Sequence, residues 1–164
     1  MTKQKGFTLI ELLVVIAIVA VLAGALLIAI NPQSMVQKGR DSKRLQDIDT
    51  LVQAINLALA DGEILITDTT GCANCTSTGD TAVDGTGYVP FTIPLNKTGL
   101  SKFIAALPTD PLNTAPNIYT YASDATNFEV NAVLEHADNL AKMTTDGGNN
   151  AAIYEKGTTL TLIN

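Results

Sequence analysis

One histidine, His136, and two cysteines, Cys72 and Cys75, are all that 164 residues offer of the side chains that most often build metal centres and nucleophilic sites. Structural zinc takes four such ligands, and a single histidine leaves little room for a catalytic triad. A glycine-rich phosphate-binding loop is missing too. Basic residues are scarce: 10 lysines and arginines stand against 16 aspartates and glutamates, for a net charge of −6. That balance argues against broad nucleic-acid binding, which needs basic surface to neutralise phosphates. Internal repeats are absent, as is any block of like charge long enough to make a disordered tail. With no catalytic constellation in view, an enzyme is not expected.

What the chain does have is one long apolar run. From Phe7 to Ile30 only Thr8 and Glu11 interrupt about 24 residues, at 1.5 Å per residue long enough to cross a bilayer. The remainder, rich in Thr, Asn, Asp and Gly, has the size of one ordinary domain. A secretory signal has an apolar core of about 7–15 residues followed by a small-residue cleavage site. Here the run is too long, and the conspicuous junction, Gly6-Phe7, precedes it. A cut at that junction leaves the apolar segment on the mature chain. Lys3 and Lys5 favour a cytoplasmic N-terminus, but Lys38, Arg40, Lys43 and Arg44 flank the far end, so the positive-inside rule is equivocal. This second cluster, mixed with Asp41, reads as a solvated helix face, or else as a contact for lipid headgroups or a neighbouring subunit.

The short basic leader, Gly6 before Phe7, Glu11, and the run FTLIELLVVIAIVAVLAG together resemble the processing signal of type IV pilins and type II secretion pseudopilins. The resemblance implies that a prepilin peptidase removes residues 1–6, that Phe7 becomes the methylated N-terminus, and that Glu11 is the assembly carboxylate. It also implies a cytoplasmic N-terminus in the inner membrane before assembly, and afterwards an extracellular pilus or a periplasmic pseudopilus. The implied partners are copies of the chain itself in a helical homopolymer, the peptidase, an assembly ATPase and an inner-membrane platform. A carboxylate inside a membrane span is costly and normally has a partner. Cleavage creates one, the amine of Phe7, which a staggered neighbour can present to Glu11. The residues leave two other readings open. Glu11 lies four places after Phe7 and can pair within its own helix, or favour the positive helix N-terminus.

Past the run, Leu45, Ile48, Val52, Ile55 and Leu59 recur every three or four residues as the stripe of an amphipathic helix, with Asp61-Gly62 as its stop. One helix is therefore expected from near Phe7 to Ala60, roughly 80 Å long. Its transmembrane or filament-core part covers 7–31 and its amphipathic part 32–61. Gly24 weakens it, and Pro32 removes a hydrogen bond and crowds a turn, so a kink or a melted stretch is expected there. Residues 62–164 form the head. Gly99 to Leu107 reads as a short helix stopped by Pro108. NIYTY and NFEVNAVLE read as a β-hairpin across Ser123–Thr126, with a last strand between Ala151 and Ile163. The fold expected is α+β and pilin-like: a long N-terminal helix packed against a small antiparallel sheet with one polar face.

LPTDPLNTAPNIYTYASDATNFEVNAVLE, Leu107 to Glu135, is similar to the major pseudopilin of type II secretion and to pilins related to it. That likeness implies a calcium loop near the C-terminal strands, with Asp138, Asp146, Asn149 and Asn150 as its oxygen donors. As a pattern, Asp-Gly-Gly-Asn-Asn reads equally as a plain turn, and Asp110 between two prolines as a turn residue. Cys72-Ala-Asn-Cys75 lies among Gly, Thr and Ser, away from the helix start that redox motifs prefer. In an exported domain a small disulfide is the expected state, with free thiols and redox or metal work as the alternatives. The function expected is a filament subunit. The alternatives are a pseudopilin of a secretion or DNA-uptake machine, and a monomeric anchored binding or redox domain.

Overall fold

A computed structural model describes residues 6–70, 72 and 75–163, the side chains of Ile28 and Ala29 excepted. Residues 1–5 of the expected leader lie outside the described residues. The chain forms two compact units that meet in sequence between Val36 and Gln37.

In the first unit, helix α1 covers Leu9–Ile30. It is apolar all round: Leu9–Leu27 has a mean hydropathy of 2.9, and none of it is buried within the chain. A helix apolar on every side is one that other apolar groups surround. It ends at Asn31, which has φ 45° and ψ 78°, and helix α2, Pro32–Ala60, starts at the next residue. The single helix expected from the sequence is therefore two. Asparagine enters the left-handed region more readily than other side chains, and proline at a first helical position lacks only an N–H that would have no helical acceptor. The Asn31 carbonyl accepts the Ser34 and Met35 N–H groups at 3.1 and 3.4 Å, opening the new helix. Gly24, expected to share in the break, lies inside uninterrupted α1, and no atom beyond its own helix comes within 4 Å of where a Cβ would stand.

In the second unit α2 supplies the core with Ile48, Leu51, Val52, Ile55 and Ala58. The buried stripe is rotated from the expected one: Leu45 and Leu59 flank it, and Arg44 occupies its leading position, fully buried. Two small antiparallel sheets face the helix. Strands β1, Leu65–Ile66, and β2, Phe91–Thr92, form one; β3, Thr120–Ser123, β4, Phe128–Ala132, and β5, Tyr154–Gly157, form the other in that order. Tyr121 pairs with Val130 and Ser123 with Phe128, and Tyr121, Phe128, Val130 and Ala132 meet the helix stripe in one core. The expected hairpin is present, closed by Asp124, whose Oδ1 accepts the Thr126 and Asn127 N–H groups at 2.6 Å. Those bonds, with further bonds from the Asn127 and Thr126 side chains, push its carboxyl pKa down to about 2.

Three expectations change. The helix placed at Gly99–Leu107 is one turn of 3₁₀ helix, Gly99–Lys102, sufficient to put Leu100 in the core. The Thr/Gly/Asp tract from Thr67 to Gly87, which reads in sequence as a loop, is tied to β3: the Thr69 N–H reaches the Ser123 carbonyl, the Tyr121 N–H the Cys75 carbonyl, and the Ser77 N–H the Tyr119 carbonyl, each at 2.9 Å. It covers the outer edge of β3, which would otherwise invite pairing with another chain. Finally, β4 has no solvated polar face: Glu129 and Asn131 are as buried as Phe128 and Val130. The C-terminal tail covers them, donating the Leu162 and Ile163 N–H groups to Glu129. Helix α3, Ala137–Thr145, lies between β4 and β5 in the chain.

Candidate functional site

The processing and assembly candidates, Gly6, Phe7 and Glu11, lie in the first unit. Gly6 and Phe7 precede α1 outside any helix or strand, and Phe7 is 88% exposed. Among the described residues nothing lies within 4 Å of where a Cβ on Gly6 would stand. Thr8 is the N-cap, and with Glu11 it forms a capping box. The Thr8 N–H and hydroxyl each donate to Glu11 Oε2 at 2.8 Å, while the Glu11 N–H donates to Thr8 Oγ1 at 3.3 Å. The carboxylate is thus held at the mouth of the helix, facing the backbone donors that a first turn leaves free. It points toward the stretch where cleavage would generate the Phe7 amine. Hydropathy shows Thr8 only as an interruption of the apolar run, whereas Thr-x-x-Glu before such a run is itself a legible cap signal.

The basic cluster after the apolar run serves the head instead. Arg44 donates from Nε and Nη2 to the two oxygens of Asp110 at 2.6 and 3.1 Å, and from Nη1 to Asp41 at 3.0 Å. Its Nη1 also stands 2.5 Å from Glu135. Arg40 grips Glu135 through Nε at 2.9 Å and Nη2 at 2.5 Å. Asp41, fully buried, accepts the Glu135 and His136 N–H groups and the Asn139 side-chain amide. Burial by itself would lower the Arg44 pKa; the bonds to Asp110 and Glu135 outweigh it and hold the guanidinium above its ordinary value. The Arg40 bond, against the opposing effect of burial and with help from Arg44, holds the Glu135 carboxyl below the ordinary range. Lys43 pairs with Asp47 at 2.6 Å and Lys38 with Asp138 at 3.0 Å. The solvated-face reading is thereby corrected for Arg40 and Arg44, while Lys38 and Lys43 do lie on the exposed side of the helix. Asp110 is a turn residue, accepting the Leu112 N–H at 2.8 Å, and it is also the buried counter-ion of Arg44. Such a pair cannot be seen in local pattern, because its members stand 66 residues apart.

Cys72 and Cys75 are joined by a disulfide with Cα atoms 5.7 Å apart, a separation typical of such bonds. Of the residues proposed for calcium, Asp146 and Asn150 both meet Glu155, but Asp138 stands apart from them. Asp138 and Asp146 stand at opposite ends of α3, separated by about 12 Å of helix rise. Asp146 is occupied by the Gly148 N–H at 3.0 Å and the Glu155 N–H at 2.9 Å. Among the described residues no group of three or more His, Cys, Asp or Glu side chains is placed to hold a metal.

An apolar helix with a capped carboxylate in its first turn, followed by an α+β head, is the architecture of a pilin-like subunit. Residues 1–27 match the family model of the prokaryotic N-terminal methylation motif. A fimbrial protein of Pseudomonas aeruginosa is 31% identical over 111 residues, 65% of this chain and 70% of that protein. A second fimbrial protein of the same organism is 30% identical over the same shares. The type II secretion system core protein G of Escherichia coli (strain K12) is 32% identical over 109 residues, 66% of this chain and 67% of that one. No solved structure matches the chain. The chain belongs to the family of pilins and type II secretion pseudopilins, and it is a structural subunit of that kind.

Proposed function

We propose that cleavage between Gly6 and Phe7, followed by methylation of the Phe7 amine, releases a subunit that polymerises through α1 into a type IV pilus-like filament. The observation that carries this is the bare apolar helix: Leu9–Leu27 buries none of itself in its own chain. Before assembly a bilayer supplies the cover, with the N-terminus cytoplasmic; afterwards the helices of other copies supply it. Glu11, held beside Phe7 by Thr8, meets the amine of a neighbouring subunit, which removes two costly groups from the apolar phase together. Prepilin peptidase, an assembly ATPase and an inner-membrane platform are the machinery this requires. The role is structural, not enzymatic.

A second reading is a pseudopilus of a secretion or DNA-uptake machine, favoured by the 32% identity to core protein G and by the LPTDP segment. Shearing cells that express tagged protein separates the two. Long extracellular fibres whose subunits begin at methylated Phe7 support the pilus, and short fibres confined to the periplasm support the pseudopilus. Protein that stays in the membrane with Met1 still attached defeats both.

A further inference from the structure

Glu129 and Glu155 are buried on the outer face of the β4–β5 pair, 0% and 2% exposed, and neither has a salt-bridge partner among the described residues. Asn131 stands directly opposite Glu155 in register, on the same face as Glu129. Glu129 is well supplied with donors: Oε1 accepts the Asn131 amide at 2.8 Å, and Oε2 accepts the Leu162 and Ile163 N–H groups at 2.7 and 3.2 Å. Glu155 is not. Its Oε2 accepts the Asn150 N–H at 3.1 Å, but Oε1 has no donor among the described residues. Asn131 Oδ1, also buried, is left over in the same way. Two acceptors without a donor, in a face that already holds two carboxylates, is an arrangement that buried polar groups avoid unless something is added.

We propose that a single proton, carried on Glu155 and shared with Asn131 and Glu129, completes this face and acts as a pH-sensitive latch on the C-terminal tail. Protonated, Glu155 becomes a donor and satisfies both leftover oxygens with one hydrogen. Ionised, it sets a second buried charge against Glu129, the residue that grips Leu162 and Ile163. The surroundings all push toward the proton. Burial comes first, then the charge of Glu129 and the direct contact with its carboxyl, then the charge of Asp146, and together, against the Asn150 N–H bond, they raise the Glu155 pKa. On β3 the residues paired with Glu129 and Asn131 are Ala122 and Thr120, neither charged. Lys156, next in β5, is engaged by Asp49, and the tail contributes only N–H groups, Asn164 lying outside the described residues. A calcium ion fits less well, because Glu129 already accepts three N–H donors and too few oxygens remain for the six to eight that calcium takes.

The sign follows from linkage. A carboxyl raised in the folded state holds a proton that the unfolded chain releases, so its contribution is complete below the unfolded value and is lost as pH rises through the folded one. The inference does not depend on polymerisation, and its failure would leave the filament reading intact. The test is hydrogen exchange of the C-terminal peptide containing Leu162 and Ile163, on the full-length chain in detergent, between about pH 5 and pH 8. After correction for intrinsic exchange, wild-type protection should fall about tenfold across that range. Glu155→Gln, which carries its own donor, should stay protected throughout. Glu129→Gln should lose protection at every pH, because a neutral amide holds the tail amides less well. Flat wild-type protection would overturn the latch, as would a Glu155→Gln profile that follows the wild type. A wild-type profile restored at high pH by calcium chloride alone would assign the face to a cation instead.

Discussion

The two units handle charge in opposite ways. The first, ending at Val36, presents an apolar helix with one carboxylate, Glu11, held at its mouth by a capping box. The second buries Arg44, Asp41 and Asp110 completely or nearly so, and answers each with partners of its own. The head closes most of itself: its core, the outer edge of β3 and the Arg44 network are satisfied by groups within the same unit. The helix does not, for among the described residues its apolar surface has no cover and its acid has only Thr8. A division of this kind teaches where dependence on other molecules lies. It lies in α1, and substitutions should sort by which unit they touch.

The strongest expected effect tests that division directly. Glu11→Ala should abolish sheared filaments while leaving membrane insertion and the melting of the head unchanged; normal filaments would remove the assembly role. Next, Arg44→Met leaves Asp41 and Asp110 buried without their cation, a loss of about 3–5 kcal/mol by analogy with other broken buried pairs. Chemical denaturation of the full chain checks this, and a loss below about 1 kcal/mol would show that the network is no stronger than a surface pair. Replacing both cysteines by serine should cost about 2 kcal/mol, the loop-closure value for so short a ring, read as a lower melting temperature without any loss of filaments. A smaller effect sharpens the contrast through pH. The Glu135 carboxyl is depressed in the folded head, so its contribution is present above the ordinary value of 4.5 and is lost as pH falls through the folded value. Glu135→Gln should flatten the acid limb of the melting curve, and an unchanged limb would count against the Arg40 grip. At the bottom of the scale, calcium or a chelator should leave the melting temperature where it is, since Asp138 and Asp146 are a helix apart.

Much of this was legible beforehand, for reasons that differ by region. The processing motif is a linear signal, read where it stands. The hairpin was visible because Phe128, Val130 and Ala132 alternate with polar residues, and period-two patterning survives any tertiary context. The same alternation misled about Glu129 and Asn131, since the pattern assigns them a second face but cannot say that the C-terminal tail will lie over it. Arg44 and Asp110 were missed because each has an adequate local account, a charged helix face and a proline-flanked turn, and only folding brings them together. The helix break was placed near Pro32, correctly in region, but its agent is Asn31, whose left-handed backbone is a property of conformation more than of residue type.

Arg40, Asp41 and Arg44 lie on a helix that looks, in sequence, like the continuation of the membrane segment, yet they are wired to the loops around Asp110 and Glu135. A soluble truncation or a chimaera with a foreign stalk must therefore be spliced upstream of Arg40, close to Gln37. A graft joined at the more obvious seam, beside Gly62, would carry away half of an ionic lock and strand the other half in the recipient.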